Sequence, residues 1–311
     1  ECGDDANHDQ QVQKDEVQIR SFADDPNINS FLTAHVQSDL SLLITYRNGV
    51  VQLKPTQVDS DGLPHYDLAN VTSLVSDINH QPTSGGGQAF TDDSGMLIFT
   101  GGPMRGFKDG KLVWQYHSRW PGLHPGHASP AQPSYPGELL ATTRLLGPTI
   151  TPRNSDAGEL WAINSDKGVI YLLTTDGLFV DYLGAYPRDG RQWDMTEHNR
   201  GMDLTHINQI SEHFFPTINQ LPNGDIILVA GKSHSSLVKV TGLESIKRLP
   251  KQSLTITAKD VLAVQDYMIA CDRALKSATE SDVMTITKTD TPKQIDGKLD
   301  DWTDPQWVLI D

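Results

Sequence analysis

Leu160-Trp161-Ala162-Ile163, then Asp166-Lys167-Gly168, then Val169-Ile170-Tyr171-Leu172-Leu173, then Asp176-Gly177 and Leu178-Phe179-Val180-Asp181-Tyr182: this stretch, inside Glu159 to Gly184, decides the fold. Its apolar runs are too short for an ordinary helix and rich in β-branched and aromatic residues, which suit a pleated, packed surface. Each run stops at an Asp-Gly pair or a close relative, where the backbone turns with positive φ and reverses direction. Three consecutive antiparallel strands joined by two tight turns are expected here.

The same unit recurs on both sides. Leu42-Leu43-Ile44-Thr45-Tyr46 turns at Asn48-Gly49 into Val50-Val51-Gln52-Leu53, and Gln88-Ala89-Phe90 turns through Asp92-Asp93-Ser94-Gly95 into Met96-Leu97-Ile98-Phe99. Phe107 turns at Asp109-Gly110 into Leu112-Val113-Trp114-Gln115-Tyr116. Ile218-Asn219-Gln220-Leu221 turns at Asn223-Gly224 into Ile226-Ile227-Leu228-Val229-Ala230, with Ser236 to Val240 as a further strand. Hairpins repeated without helical crossovers predict an all-β chain, read as a partial β-propeller with about four blades visible. The blades are assigned to residues 21–250.

After Pro250 the pattern changes. Thr257 stands three residues before Asp260, the spacing of a capping box, and Val261, Leu262, Val264, Tyr267, Met268 and Cys271 recur at helical intervals. One helix is expected over Thr257 to Ala278, inside a linker of residues 251–282. Residues 283–311 read as the start of a second β-domain, opening with a strand at Val283 to Thr287. The chain opens at Glu1 without a signal peptide and ends on the strand-like run Val308-Leu309-Ile310-Asp311, so a piece of a longer protein is expected.

The formal net charge of −15 over 311 residues, with no basic stripe, opposes binding to nucleic acid phosphates and tolerates divalent cations and neutral partners such as glycans. No apolar run reaches the roughly 20 residues of a membrane helix. The two cysteines, Cys2 and Cys271, form no metal or redox spacing.

Three groups of residues carry candidate chemistry. Asp5, Asn7, Asp9, Gln11 and Glu16 fall at positions 1, 3, 5, 7 and 12 of an EF-hand-type loop, with Val12 expected to anchor it to the core. A hard cation needs six or seven oxygens, which alternate inward-turned residues and a closing Glu supply, so Ca²⁺ is the expected cofactor. Gln10 stands where such loops carry Gly. The second group is Trp120 to His127, in which His124 and His127 flank a Pro-Gly turn as candidate metal or acid/base residues. The third is Trp193 to Asp203, where Glu197 beside His198 suits acid/base chemistry. Trp120 and Trp193 are candidate platforms for a sugar ring. Gly231 to Ser236 lacks phosphate-loop spacing, and no GxSxG elbow occurs.

The stretch Gly158 to Gly184, with Gly201 to Thr205, Phe215-Pro216-Thr217 and Val229 to Ser236, resembles large secreted propeller proteins of environmental bacteria. Such chains often carry an EF-hand-like loop beside the propeller, as residues 1–20 would here. Ile295-Asp296-Gly297-Lys298-Leu299-Asp300-Asp301-Trp302 is similar to the opening of a family 9-like carbohydrate-binding domain, whose sugar-contacting residues would lie past Asp311. The resemblance implies an extracellular, periplasmic or cell-surface protein with a polysaccharide or glycan partner. The readings that follow are a non-catalytic binding module, a propeller enzyme acting on carbohydrate (a polysaccharide lyase or a quinone-dependent sugar dehydrogenase), and a calcium-stapled scaffold.

Overall fold

The structure, a computed structural model, describes residues 2–3, 7, 9–19, 31–46, 48–78, 87–116, 120–121, 130, 133–165, 168–184, 191–192, 199–208, 216–231 and 235–281. In chain order, β1 (Cys2–Gly3) pairs with β2 (Val17–Gln18), and β3 (Phe31–Val36), β4 (Leu42–Tyr46) and β5 (Gly49–Leu53) follow as a meander. A side hairpin of β6 (Pro55–Val58) and β7 (Pro64–Tyr66) precedes β8 (Thr72–Val75), which returns to pair with β5. Next come β9 (Ala89–Thr91), β10 (Leu97–Phe99), β11 (Met104–Lys108) and β12 (Lys111–Tyr116). Then β13 (Trp120–Pro121) lies parallel to β14 (Leu140–Leu145), which leads into β15 (Leu160–Ser165), β16 (Ile170–Thr174) and β17 (Phe179–Tyr182). The short parallel pair β18 (Arg191–Gln192) and β19 (Ile207–Asn208) precedes β20 (Thr217–Gln220), β21 (Ile226–Gly231) and β22 (Ser235–Val240). The one α-helix among the described residues, α1, spans Ala258–Ser281.

Four sheets therefore follow one another as antiparallel meanders: β3-β4-β5-β8, β9-β10-β11-β12, β14-β15-β16-β17 and β20-β21-β22. Each pair of neighbours encloses its own core. Leu43, Val50, Ala89, Leu97, Phe99 and Phe107 fill the space between the first and second sheets. Phe90, Ile98, Met104, Trp161, Ile163, Tyr171 and Leu173 fill the next. Leu160, Ala162, Ile170, Leu172, Ile218, Ile226 and Leu228 fill the third. Strand neighbours point to opposite faces, so Trp161 and Ala162, or Tyr171 and Leu172, enter different cores. This explains why β15 and β16 are apolar at successive positions: the third sheet is covered on both faces. Sheets stacked face to face in chain order are the arrangement of propeller blades, and the all-β, blade-built class expected from the hairpins is the one observed.

Turn chemistry acts where the sequence places it. Asp109 and Gly110 both take positive φ (50° and 72°), as a type I′ hairpin turn requires. Gly177 has φ of 89°, and a Cβ there would meet the Trp114 indole at 2.5 Å, so both conformation and space demand glycine. Trp114 in turn donates its Nε1–H to Thr175 O (3.0 Å), tying the second sheet to the turn of the third.

Past β22 the chain folds back on the loop before β15. Ser155 Oγ donates to Ile246 O (2.9 Å), Lys247 Nζ to Asn154 O (3.1 Å), and the Arg248 amide to Asp156 Oδ1 (2.7 Å). The Arg248 guanidinium grips Asp176 through two bonds (2.8 and 2.9 Å) and also reaches Ala157 O. This hydrogen-bonded Arg248 is the main cause holding the Asp176 carboxyl below its usual range. A group with a depressed folded pKa contributes stability above its unfolded pKa and loses it as pH falls through the folded value. Arg248→Ala is therefore expected to cost about 1 kcal/mol at neutral pH, kept small by solvent screening of a half-exposed pair. The difference from the wild type should shrink in acid denaturation profiles below the ordinary Asp range, and a gap that persists there excludes the pair as its source.

The helix starts where the capping box places it. Asp260 Oδ2 accepts from the Thr257 amide (2.8 Å) and hydroxyl (2.6 Å), and Thr257 Oγ1 accepts from the Asp260 amide (3.4 Å). Residues 282–311, including the expected strand at Val283 to Thr287 and the carbohydrate-domain motif with Trp302, lie outside the described residues.

Candidate functional site

The strand registers bring particular ends together. In the second sheet Phe99 pairs with Ala89 and Arg105, and Met104 with Tyr116, so the start of β9 and the finish of β12 share one end. In the third sheet Thr142 pairs with Ser165 and Tyr171 with Tyr182, which puts the start of β14 and the finish of β17 together in the same way. The Tyr116 hydroxyl at the finish of β12 and the Tyr182 hydroxyl at the finish of β17 both bond Gly137, just before β14 (2.5 and 3.0 Å), so these ends of the second and third sheets lie together. The long connection from β12 to β14 thus leaves and re-enters at the end from which the chain after β17 departs.

The described residues at this end form a tyrosine-framed base. The Glu138 carboxyl is buried before β14, accepting from the Tyr267 hydroxyl with one oxygen and from the Ser134 amide with the other. Tyr116 donates to Gly137 O (2.5 Å), the Gly137 amide donates to the Tyr182 hydroxyl (3.0 Å), and the Leu140 amide donates to the Tyr171 hydroxyl (2.9 Å). Ring contacts of Tyr135 with Tyr267 (5.7 Å) and Tyr171 with Tyr182 (5.5 Å) complete the frame. Burial pushes the Tyr116 phenol up to about 12 and raises Tyr171, Tyr135 and Tyr267 as well. These phenols stay protonated across the physiological range, so they serve as fixed hydrogen-bonding groups rather than as bases. Their effect is to lock the chain from Ser134 to Leu140, where the first long connection ends. The frame draws on residues scattered from Tyr116 to Tyr267 and had no signal in the sequence beyond an ordinary scatter of tyrosines.

Of the residues singled out by sequence, His124, His127, Trp193, Glu197 and His198 lie outside the described residues. In the chain they fall in the connections from β13 to β14 and from β18 to β19. Trp120 is a correction. It is 2% exposed, packed with Leu140 and Cys271 while Tyr267 lies against them, so its face is closed to a sugar ring. The indole serves as part of the seat for α1.

The N-terminal loop is a separate feature. The Asp9 amide donates to Asn7 Oδ1 (2.9 Å), and the Gln11 amide to Asp9 Oδ1 (2.8 Å). Glu16 Oε2 accepts from the Gln13 amide (3.2 Å), and Gly3 pairs with Val17 to close the loop. Gln10 has φ of 62°, the left-handed conformation its place in the motif calls for. Val12 is 85% exposed and does not anchor the loop, a second correction: the loop leans instead on Gln18, whose Oε1 accepts from the Leu68 amide (3.0 Å). Asp5 lies outside the described residues, and among the described ones no group of three or more His, Cys, Asp or Glu side chains is arranged to hold a metal ion.

No family model matches this chain, and no curated protein sequence does. Among solved structures it is similar to virginiamycin B lyase from Staphylococcus aureus, at 12% identity and a TM-score of 0.32, over 68% of this chain and 55% of that one. A catalytically inactive form of that lyase with quinupristin aligns at 10% identity and a TM-score of 0.34, over 76% and 62% of the two chains. A protein of unknown function from Bacteroides caccae aligns at 11% identity and a TM-score of 0.32, over 68% and 56%. The chain spans less than two thirds of the length of these structures, and the blade assignment rests on its own stacked sheets.

Proposed function

We propose that this chain is the carbohydrate-binding or scaffold portion of a secreted or cell-surface polysaccharide-handling protein, stabilised by calcium. The observation that carries the reading is the common end of the stacked sheets, where two long connections spring from a rigid, tyrosine-framed base. Loops held by a rigid scaffold are the usual place for recognition. The net charge of −15 favours a neutral glycan over a polyanion. Trp193 is the remaining candidate platform for a sugar ring, since Trp120 is buried.

Affinity electrophoresis through gels containing neutral polysaccharides tests this. At least one polysaccharide should retard the wild-type chain, and Trp193→Ala should abolish the retardation. Retention by none of them overturns the binding reading. The alternative, an enzyme acting on carbohydrate, draws support from His124, His127, Glu197 and His198 falling within the two long connections. It predicts chain cleavage of the retained polysaccharide that His198→Ala removes, whereas the binding reading predicts retention without cleavage.

For calcium, Asp5, Asn7, Asp9, the Gln11 carbonyl and Glu16 would hold the ion, with Glu16 closing the site through two oxygens. The left-handed Gln10 supports the fit, and its conformation costs roughly 1 kcal/mol. Affinity is expected in the extracellular range, about 10⁻⁴ to 10⁻³ M. Calcium at ten times the dissociation constant should then stabilise the fold by about 1.4 kcal/mol. Calorimetric titration should show this for the wild type and not for Glu16→Gln, and equal heats from both remove the loop as the site.

A further inference from the structure

After Arg248 the chain runs exposed from Leu249 to Asp266, through a linker and more than two turns of α1. Within this helix of 24 residues, the buried and half-buried side chains among the described ones are Tyr267, Met268 and Cys271, about one turn. Helices in folded proteins owe most of their stability to an apolar face packed on the rest of the molecule. Here that face is one turn long.

The seat for this turn is built at the end of the first long connection. Cys271 packs against Trp120 of β13 and Leu140 of β14, and Tyr267 lies against Tyr135 and bonds Glu138. The Glu138 carboxyl is 4% exposed and serves both sides of the contact. One oxygen accepts from the Tyr267 hydroxyl on the helix, the other from the Ser134 amide on the connection. A few residues on, the support comes from the sheets instead: Tyr116 and Tyr182 hold Gly137, and Tyr171 holds Leu140.

A buried carboxyl met by two donors is satisfied while the helix is docked, and lifting the helix lets water reach it, so neither state leaves it buried without a partner. Opening uncovers one turn and breaks one side-chain bond to the sheets' side, far less than parting the cores between the blades.

We propose that α1 is a detachable strap: it lifts as a unit while the blades stay folded, and its docking orders the chain at Ser134 through the shared Glu138 carboxyl. Lifting frees Ser134 and Tyr135, and the hold of Tyr116, Tyr182 and Tyr171 stops the loosening at Gly137. The root of the connection thus has a fixed state and a freer one, whatever the connection binds.

Cys271 reports the contact. In the full chain carrying Cys2→Ser it is the one thiol, and a small reagent such as methyl methanethiosulfonate reaches it only when the strap lifts. Labelling should proceed at a rate nearly independent of urea below the global unfolding transition, because lifting exposes little surface. Tyr267→Phe should raise that rate about tenfold, whereas Trp161→Ala, which weakens the blades, should leave it unchanged. Amide exchange at Ser134 should accelerate in Tyr267→Phe by a comparable factor, while exchange at Leu140 stays as it was. Labelling that climbs with urea as steeply as global unfolding, and that Trp161→Ala accelerates, means that the helix leaves only when the blades unfold, and overturns the strap. Faster labelling in Tyr267→Phe with unaltered exchange at Ser134 overturns the coupling through Glu138.

Discussion

Trp161→Ala is expected to lower the stability of the folded chain by about 3–5 kcal/mol, the cost of truncating a large buried aromatic whose cavity cannot collapse. Trp161 has no solvent exposure and lies in the core between the second and third sheets, with its ring 5.5 Å from that of Phe90. Its Nε1–H donates to Thr174 O (3.0 Å), so the variant also removes one donor from a buried carbonyl that keeps the Gly177 amide (3.0 Å). At roughly 2–4 °C per kcal/mol for a domain of this size, the melting temperature should fall by roughly 10 °C. Urea denaturation should show the midpoint shifting with little change in slope. A loss below about 1 kcal/mol would mean that these two sheets are not packed on one another as described.

Glu138→Ala should have the next largest effect, about 2–4 kcal/mol, because two donors lose a buried acceptor at once. One is the Ser134 amide, which fixes the entry to β14, and the other is the Tyr267 hydroxyl on α1. Tyr267→Phe removes one of these bonds and should cost about 1–2 kcal/mol. The helix buries little else: Cys271 is buried against Trp120 and Leu140, whereas Val261, Leu262, Val264 and Ile269 are exposed. Amide exchange in α1 should therefore accelerate in both variants, more strongly in Glu138→Ala, while exchange in β15 and β16 stays slow. Equal exchange in the wild type and Glu138→Ala would show that the carboxyl does not hold the helix.

Features fixed by neighbours in the chain were legible before the structure. Asp109-Gly110 and Asp176-Gly177 announce hairpins because the local φ requirement is met by those residues whatever surrounds them. Thr257 and Asp260 mark the start of α1 for the same reason, since the cap closes within one turn. Features fixed by distant residues were not legible. Trp120 reads as an aromatic in a polar loop, and only the arrival of α1, carrying Cys271 and Tyr267, turns it into core. Val12 reads as an anchor, yet no apolar surface comes to meet it.

The amino-acid sequence by itself determined the all-β class, the hairpin turns, the start of α1 and the acidic character, because each follows from local backbone preference or from a sum over residues. Only the tertiary structure decided which faces are covered. Ile226 to Ala230 is as apolar as Leu160 to Ile163, but Ile227 and Val229 remain half-buried while every residue of β15 is buried. It also decided that Glu138 and the tyrosines around it meet at one end of the stack, and that a cleft lies between Val180 to Gly184 and Ser236 to Thr241. The reason is physical: burial and pairing are relations between segments far apart in the chain, and a hydrophobic pattern states that a strand can be covered without stating what covers it.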